Sequence, residues 1–160
     1  MCDAIDKNIP ILGSCLGIQV IAKALGGEVI LDNEHRKVGT YFITLNEDGQ
    51  QDPLFSKFPK TFLTQMGHKC RVSILPEDAV SLASSDLCPV HAFKLKNKMV
   101  YATQFHPELN YHDNVKRLKY YYQNYHHASQ EESSEEMLMK FKEDDTNSTL
   151  LSDFIMLVAG

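Results

Sequence analysis

The chain has 160 residues, 43% of them hydrophobic, enough for one domain with a core of its own. Its formal net charge of −5 argues against nucleic acid as the main partner. The four cysteines, Cys2, Cys15, Cys70 and Cys88, include no C-x-x-C pair, which argues against a zinc site and against a secreted disulfide framework.

Residues 1–8 read as the end of a helix or a loop, and they carry Asp3 and Asp6 where a signal peptide would be basic and then apolar. No run approaches the length of a membrane span, so a cytosolic, reducing setting is expected, with Cys15 a free thiol. Residues 9–12 are a short buried strand, and residues 17–25 are a helix, apolar nearly all round and expected to be buried, that Gly26-Gly27 stops. Residues 28–31 and 37–45 are strand candidates, the second alternating Val38, Tyr41, Ile43 and Leu45 with polar residues. Residues 46–49 read as a turn. Asp52 is a helix cap with Pro53 at the first helical position.

Residues 61–65 are a strand, followed by a loop over residues 67–70. Residues 72–75 lead into a turn at Pro76. Three more strands fall at 80–84, 91–95 and 99–105, the last two pairing as a hairpin across Lys96-Asn97-Lys98. Residues 114–125 are a helix rich in tyrosine and lysine. The negative charge is concentrated in residues 129–145, where Glu131, Glu132, Glu135, Glu136, Glu143, Asp144 and Asp145 outnumber Lys140 and Lys142. The expected organisation is a domain over residues 1–127, an acidic linker or solvated helix over 128–149, and a C-terminal helix over 150–160 that could dock on the domain.

Two motifs carry chemistry. Gly13-Ser14-Cys15-Leu16-Gly17 is the cysteine version of the G-x-S-x-G nucleophile elbow, a tight strand-to-helix turn. Such a turn strains the nucleophile's backbone, and a Cβ on either flank, at Gly13 or Gly17, is expected to collide with the facing chain. The Cys15 sulfur would lie at a helix N-terminus, where backbone N–H groups favour thiolate and the Leu16 N–H could steady an oxyanion. The second motif is His106-Pro107-Glu108. In an extended segment residues two apart share a face, so Glu108 could accept a hydrogen bond from one imidazole nitrogen while the other faces a thiol. Nucleophile, base and orienting carboxylate follow as Cys15, His106 and Glu108.

The stretch from Pro10 to Gln19, followed by Ile21-Ala22-Lys23-Ala24-Leu25-Gly26-Gly27, resembles the nucleophile region of class I glutamine amidotransferases, and Gln104-Phe105-His106-Pro107-Glu108 resembles that family's His-x-Glu segment. Asp52-Pro53-Leu54-Phe55, Leu75-Pro76, Leu82-Ala83-Ser84-Ser85 and Ala92-Phe93 fit between them, as in members related to the amidotransferase domain of GMP synthetase. The resemblance implies a flavodoxin-like three-layer α/β/α fold without cofactor or metal. It further implies attack of Cys15 on the side-chain amide of glutamine, a γ-glutamyl thioester, and release of glutamate and ammonia.

By position, Gln19 resembles the family residue that helps to hold the glutamine. His68 matches the histidine of the family's substrate-binding loop, although its neighbours Gly67, Lys69 and Cys70 depart from the pattern. His91 stands where relatives often have glutamine and reads as structural, and His35, His112, His126 and His127 read as solvated surface. The family normally has tens of residues before the elbow, which supply central strands and a second oxyanion donor. Here the elbow comes after fourteen residues, so those N-terminal strands are expected to be missing. The implied partners are a small glutamine or γ-glutamyl substrate and a separate ammonia-accepting subunit. Two alternatives stand beside this: a γ-glutamyl peptide hydrolase with the same triad, and a binding or regulatory remnant.

Overall fold

The computed structural model describes residues 1–35, 37–125, 133–144 and 146–160. A short helix α1 (Cys2–Asp6) precedes strand β1 (Ile11–Ser14), helix α2 (Leu16–Ala24), and strands β2 (Glu28–Leu31) and β3 (Lys37–Leu45). Helix α3 (Glu47–Gln51) and a 3₁₀ turn (Phe55–Lys57) lead to β4 (Thr61–His68), β5 (Cys70–Ile74), β6 (Ala79–Ser85), β7 (Cys88–Leu95) and β8 (Val100–Thr103). Helices α4 (Tyr111–Tyr125), α5 (Ser134–Leu138) and α6 (Leu150–Ala159) complete the chain.

Six strands form one sheet in the order β1-β8-β7-β6-β3-β4, and β2 and β5 form a separate antiparallel pair. The β1–β8 pair is parallel, with Ser14 opposite Thr103; the other pairings among the described strands are antiparallel. β8 lies between β1 and β7 with all four residues buried. Tyr101 joins a core of Leu54, Phe55, Phe62 and Phe105 on one face of the sheet. Val100 and Ala102 join Ile18, Ile21 and Phe93 on the other. A strand covered on both faces needs apolar residues at successive positions, as β8 has.

Buried Asp52 ties the first core to the sheet. Its Oδ1 accepts from the Leu54 and Phe55 backbone N–H groups at 2.9 and 3.1 Å, and its Oδ2 accepts from Lys94 Nζ at 2.6 Å and the Tyr101 hydroxyl at 3.1 Å. The phenol of Tyr101 is pushed up, by burial first and then by the Asp52 charge. Asp52 is therefore not the N-cap expected: it ends α3, and its side chain holds the N–H groups of Leu54, which caps the 3₁₀ turn, and of Phe55, where the turn begins, two residues beyond Pro53.

Several expectations need correction. α2 buries Ile18, Ile21 and Ala22 but exposes Leu16 and Val20, so a helix apolar nearly all round is covered on one side only. Residues 46–49 are not a free turn: Asn46 Oδ1 accepts from the Gly49 N–H at 2.8 Å and caps α3. Residues 67–70 are not a loop. Pairing with β3 carries β4 on to His68, opposite Lys37, and the chain then crosses to the second sheet at Lys69 alone. The acidic stretch is not uniformly solvated: a capping box of Ser133 and Glu136 starts α5, and Met137 and Phe141 are buried with Leu118 of α4. His126, His127, Glu131, Glu132 and Asp145 lie outside the described residues. α6 rests on the first core through buried Leu150 and through Phe154, whose ring meets Tyr101 edge-on at 6.0 Å. Among the described residues no helix is long and apolar enough to cross a membrane.

Candidate active site

The corner between β1 and α2 puts Cys15 at φ 49° and ψ −94°, a conformation rare for any residue with a Cβ. The Cys15 N–H donates to the Thr103 carbonyl at 2.8 Å, which locks the corner to the end of β8. A Cβ on Gly13 would come within 2.7 Å of Ile21 Cδ1 and 3.0 Å of the Gly17 carbonyl carbon, so the first elbow glycine is required by contact. Gly17 is different. A Cβ there would meet nothing within 4 Å, because that side of the first helical turn faces open space.

His106 follows β8 and is buried, with its backbone N–H donating to the Gln65 carbonyl at 2.9 Å. Gln65 is itself held by the Thr40 hydroxyl and the Asn114 amide, both donating to its Oε1. His106 Nδ1 lies 2.6 Å from Glu108 Oε1, and Glu108 Oε2 accepts from the Ser14 hydroxyl at 2.9 Å. The expected contact is present but its geometry differs. Residues 106–109 form a turn closed by Leu109 N–H to the His106 carbonyl at 3.3 Å, not an extended segment, and the turn brings the two side chains together.

The corner sets Cys15 near His106, close enough for its charge to act on the ring. Burial pulls the imidazole down, but the hydrogen bonds and negative charges of the Cys15 thiolate and Glu108 outweigh it and push His106 up to about 9. Glu108 resists burial in the same way: bonds from His106, its own backbone N–H and Ser14 hold it below the usual carboxylate range.

A further group was not foreseen. Arg117 Nη1 of α4 lies 2.9 Å from His106 Nε2. A guanidinium only donates, so this contact requires a neutral His106 with its proton on Nδ1, facing Glu108. The raised value belongs to the other arrangement, in which the Cys15 thiolate faces a doubly protonated ring. The two cannot coexist on one Nε2.

The secondary expectations separate from this centre. Gln19 Nε2 donates to the Cys70 carbonyl at 3.0 Å, and His68 Nδ1 lies 3.2 Å from that same oxygen. His68 is buried and pushed down to about 4, by desolvation first and then by the Lys37 charge. His91 is fully buried, bonded through Nε2 to Ser85 Oγ at 2.9 Å and pushed down to about 3. The Leu16 N–H opens α2 beside Cys15, and its side chain points away into solvent. Sequence reasoning missed Ser14, although it sits inside the elbow motif, and Arg117. The helical stripe Asn114, Arg117, Leu118, Tyr121 was the one signal for Arg117.

A strained cysteine at a strand-to-helix corner, facing a histidine that a carboxylate orients, is the arrangement of a thiol-dependent acyl-transfer enzyme. The chain belongs to the class I glutamine amidotransferase family, whose model matches residues 1–137. It is 38% identical over 112 residues to the glutamine-hydrolysing GMP synthase subunit of Methanococcus aeolicus, covering 69% of this chain and 57% of that protein. It is 41% identical over 106 residues to the same protein of Methanocaldococcus jannaschii, covering 66% and 54%. The chain thus spans little more than half the length of these curated relatives. The fold matches a crystal structure of a Thermotoga maritima glutamine amidotransferase with a TM-score of 0.77, at 24% identity and covering 97% of this chain and 64% of that one. A crystal structure of a protein assigned as a GMP synthase subunit from Thermoplasma acidophilum matches at TM-score 0.61 and 33% identity, covering 72% and 58%.

Proposed function

We propose that this chain carries the glutamine-hydrolysing centre of an amidotransferase. Cys15 thiolate attacks the side-chain amide carbon of glutamine, and the oxyanion that forms is steadied by the Leu16 N–H. His106, protonated on Nε2, gives that proton to the departing ammonia, leaving a γ-glutamyl thioester. His106 then takes a proton from water, which attacks the thioester and releases glutamate. Glu108, itself bonded to Ser14, keeps the His106 ring in register throughout. The observation that carries this reading is the 2.6 Å His106–Glu108 pair set beside a nucleophile elbow with a positive φ at Cys15.

Four extensions follow from this reading. Residues 1–127 act as the catalytic unit, with 128–149 as an acidic connector and 150–160 as a helix docked on it. The edge of β1 away from β8, unpaired among the described strands, is the place for further central strands of a flavodoxin-like layer and for a second oxyanion donor. Because the matched relatives are named as subunits of GMP synthase, the ammonia is passed to a separate synthetase subunit. Four free cysteines among the described residues favour a reducing cytosol as its setting.

The test is glutamate release from L-glutamine and from a γ-glutamyl dipeptide by the 160-residue chain, beside Cys15→Ala. Release from glutamine that the variant abolishes is expected. Release from the dipeptide alone would move the assignment to γ-glutamyl peptide hydrolysis. Absence of both, with the fold intact, would leave a binding remnant.

A further inference from the structure

Arg117 stands between the catalytic histidine and a cavity of about 480 Å³ lined by residues of β3, β4, α4 and α5. The cavity's charged lining is Lys69 and Arg117, with no carboxylate among its lining residues. His68 also lines it, and the buried His68 Nε2 has no hydrogen-bond partner among the described residues. Arg117 reaches His106 across Gly67. Nη1, Nη2 and Cζ lie at 3.8, 3.8 and 3.9 Å from where a Cβ on Gly67 would be, so the guanidinium lies flat over the bare backbone at the end of β4. No carboxylate is paired with Arg117 among the described residues.

This is an unusual resting place for arginine. Its fork matches a carboxylate through two parallel N–H donations, and a neutral imidazole offers it a single lone pair. The distance suits a substrate. In a γ-glutamyl amide the α-carboxylate carbon lies four bonds from the side-chain amide carbon, roughly 5 Å when extended. With the amide carbon at Cys15, that carboxylate falls within reach of a guanidinium that already touches the neighbouring imidazole.

We propose that Arg117 recognises the α-carboxylate of the γ-glutamyl substrate and rests on His106 Nε2 until that carboxylate draws it away. This rests on the hydrolytic reading above. In the free chain the guanidinium occupies the lone pair that must accept the Cys15 proton. Once it turns to the carboxylate, that lone pair is exposed to Cys15. The S–H bond breaks, the Nε2–H bond forms, and thiolate and imidazolium are left in place with no co-reactant needed. Substrates without an α-carboxylate leave the histidine blocked, so binding and activation select the same group.

The experiment compares L-glutamine with L-glutaminamide, which carries a neutral carboxamide at the α position, as substrates of the wild-type chain, Arg117→Gln and Arg117→Lys. The wild type is expected to prefer glutamine by about 10²-fold in kcat/KM, the loss expected when a charged bidentate pair is removed. Arg117→Gln should erase that preference, through a higher KM for glutamine and a faster turnover of glutaminamide. Arg117→Lys should recover part of it. Equal losses on both substrates would overturn the proposal and leave Arg117 a structural contact. The second arm reads His106 directly by ¹⁵N NMR at neutral pH. The free wild type should show a neutral ring protonated on Nδ1, and saturating L-glutamate, or Arg117→Gln without ligand, should convert it to imidazolium. A ring that responds to neither also overturns the proposal. If the wild type hydrolyses neither amide while the NMR arm behaves as expected, the hydrolytic reading falls and the Arg117 contact stands.

Discussion

Replacing Glu108 by glutamine tests the proposed triad at its least buried member. The side chain keeps its length, so an amide carbonyl can still face His106 Nδ1 where the carboxylate now sits at 2.6 Å. Ser14, which donates to the carboxylate at 2.9 Å, can rotate to accept from the amide N–H and hold that orientation. What is lost is charge. A hydrogen bond to an ionised group contributes about 1.5–3 kcal/mol and a neutral one about 0.5–1.5 kcal/mol. The Glu108 side chain is 40% exposed, and solvent screening places the difference at the lower end, about 1.4 kcal/mol or tenfold in rate. The expected result is a kcat for glutamine hydrolysis about tenfold lower, with KM little changed. The pH profile adds a sign. Imidazolium is the form that protonates ammonia, so activity falls as pH rises through the His106 value of about 9. Without the Glu108 charge that descending limb should move down towards the ordinary histidine value. Removing Ser14 as well frees the amide to turn its N–H₂ towards Nδ1, which stabilises the wrong tautomer, so the double variant should lose more than the product of the two single losses. An E108Q chain that keeps full kcat with its basic limb unmoved, and the native far-UV spectrum, would refute the reasoning.

Two stability predictions accompany it. Gly13→Ala forces a Cβ to 2.7 Å from the buried Ile21 side chain and should destabilise by roughly 1–3 kcal/mol, whereas Gly17→Ala enters open space within a helix and should stabilise by about 0.5–1 kcal/mol, so urea midpoints should move in opposite directions. His68 and His91, pushed down to about 4 and about 3, stay neutral in the fold while the unfolded chain protonates below about 6.5; their contribution is complete above that pH and is lost as pH falls towards 4 and 3. Between pH 7 and pH 5 the two together should therefore cost on the order of 4 kcal/mol, and His68→Gln with His91→Gln should flatten that slope in urea melts.

The strands were legible where local pattern and pairing agree. β2 and β3 have the bounds that alternation and the Gly26-Gly27 break imply. Where the pattern failed, the deciding contact was remote. Asparagine followed by acidic residues and glycine suits a turn and a helix cap equally. Asn46 becomes a cap because β6 is alongside: its Nδ2 donates to the Ser81 carbonyl at 2.8 Å, its backbone N–H donates to the Leu82 carbonyl at 3.1 Å, and a Cβ on Gly49 would run into that same Leu82 carbonyl. β4 outruns its pattern for the same reason. Gly67 and His68 look like loop residues, but Val38 and Lys37 stand opposite them in β3 and continue the ladder.

The centre divides along the same line. The proposed triad of Cys15, His106 and Glu108 could be named from sequence because each motif lies within a few residues of chain. Ser14 and Arg117 could not, since one acts 94 residues and the other 11 residues away from its partner. The topology explains how two such local motifs come to lie together. β1 and β8 are parallel neighbours, so their C-terminal ends lie together, and Ser14 opposite Thr103 sets Cys15 beside the segment that leads to His106. A positive φ at a residue with a Cβ costs on the order of 1–3 kcal/mol. That strain is held by the 2.8 Å bond from the Cys15 N–H to the Thr103 carbonyl and by the burial of Ile18 and Ile21 one and two turns further along α2. The same carbonyl ends the strand that delivers His106. Relaxing the corner would therefore release Cys15 from β8, and the strain at Cys15 and the position of His106 are one property of a single strand pair.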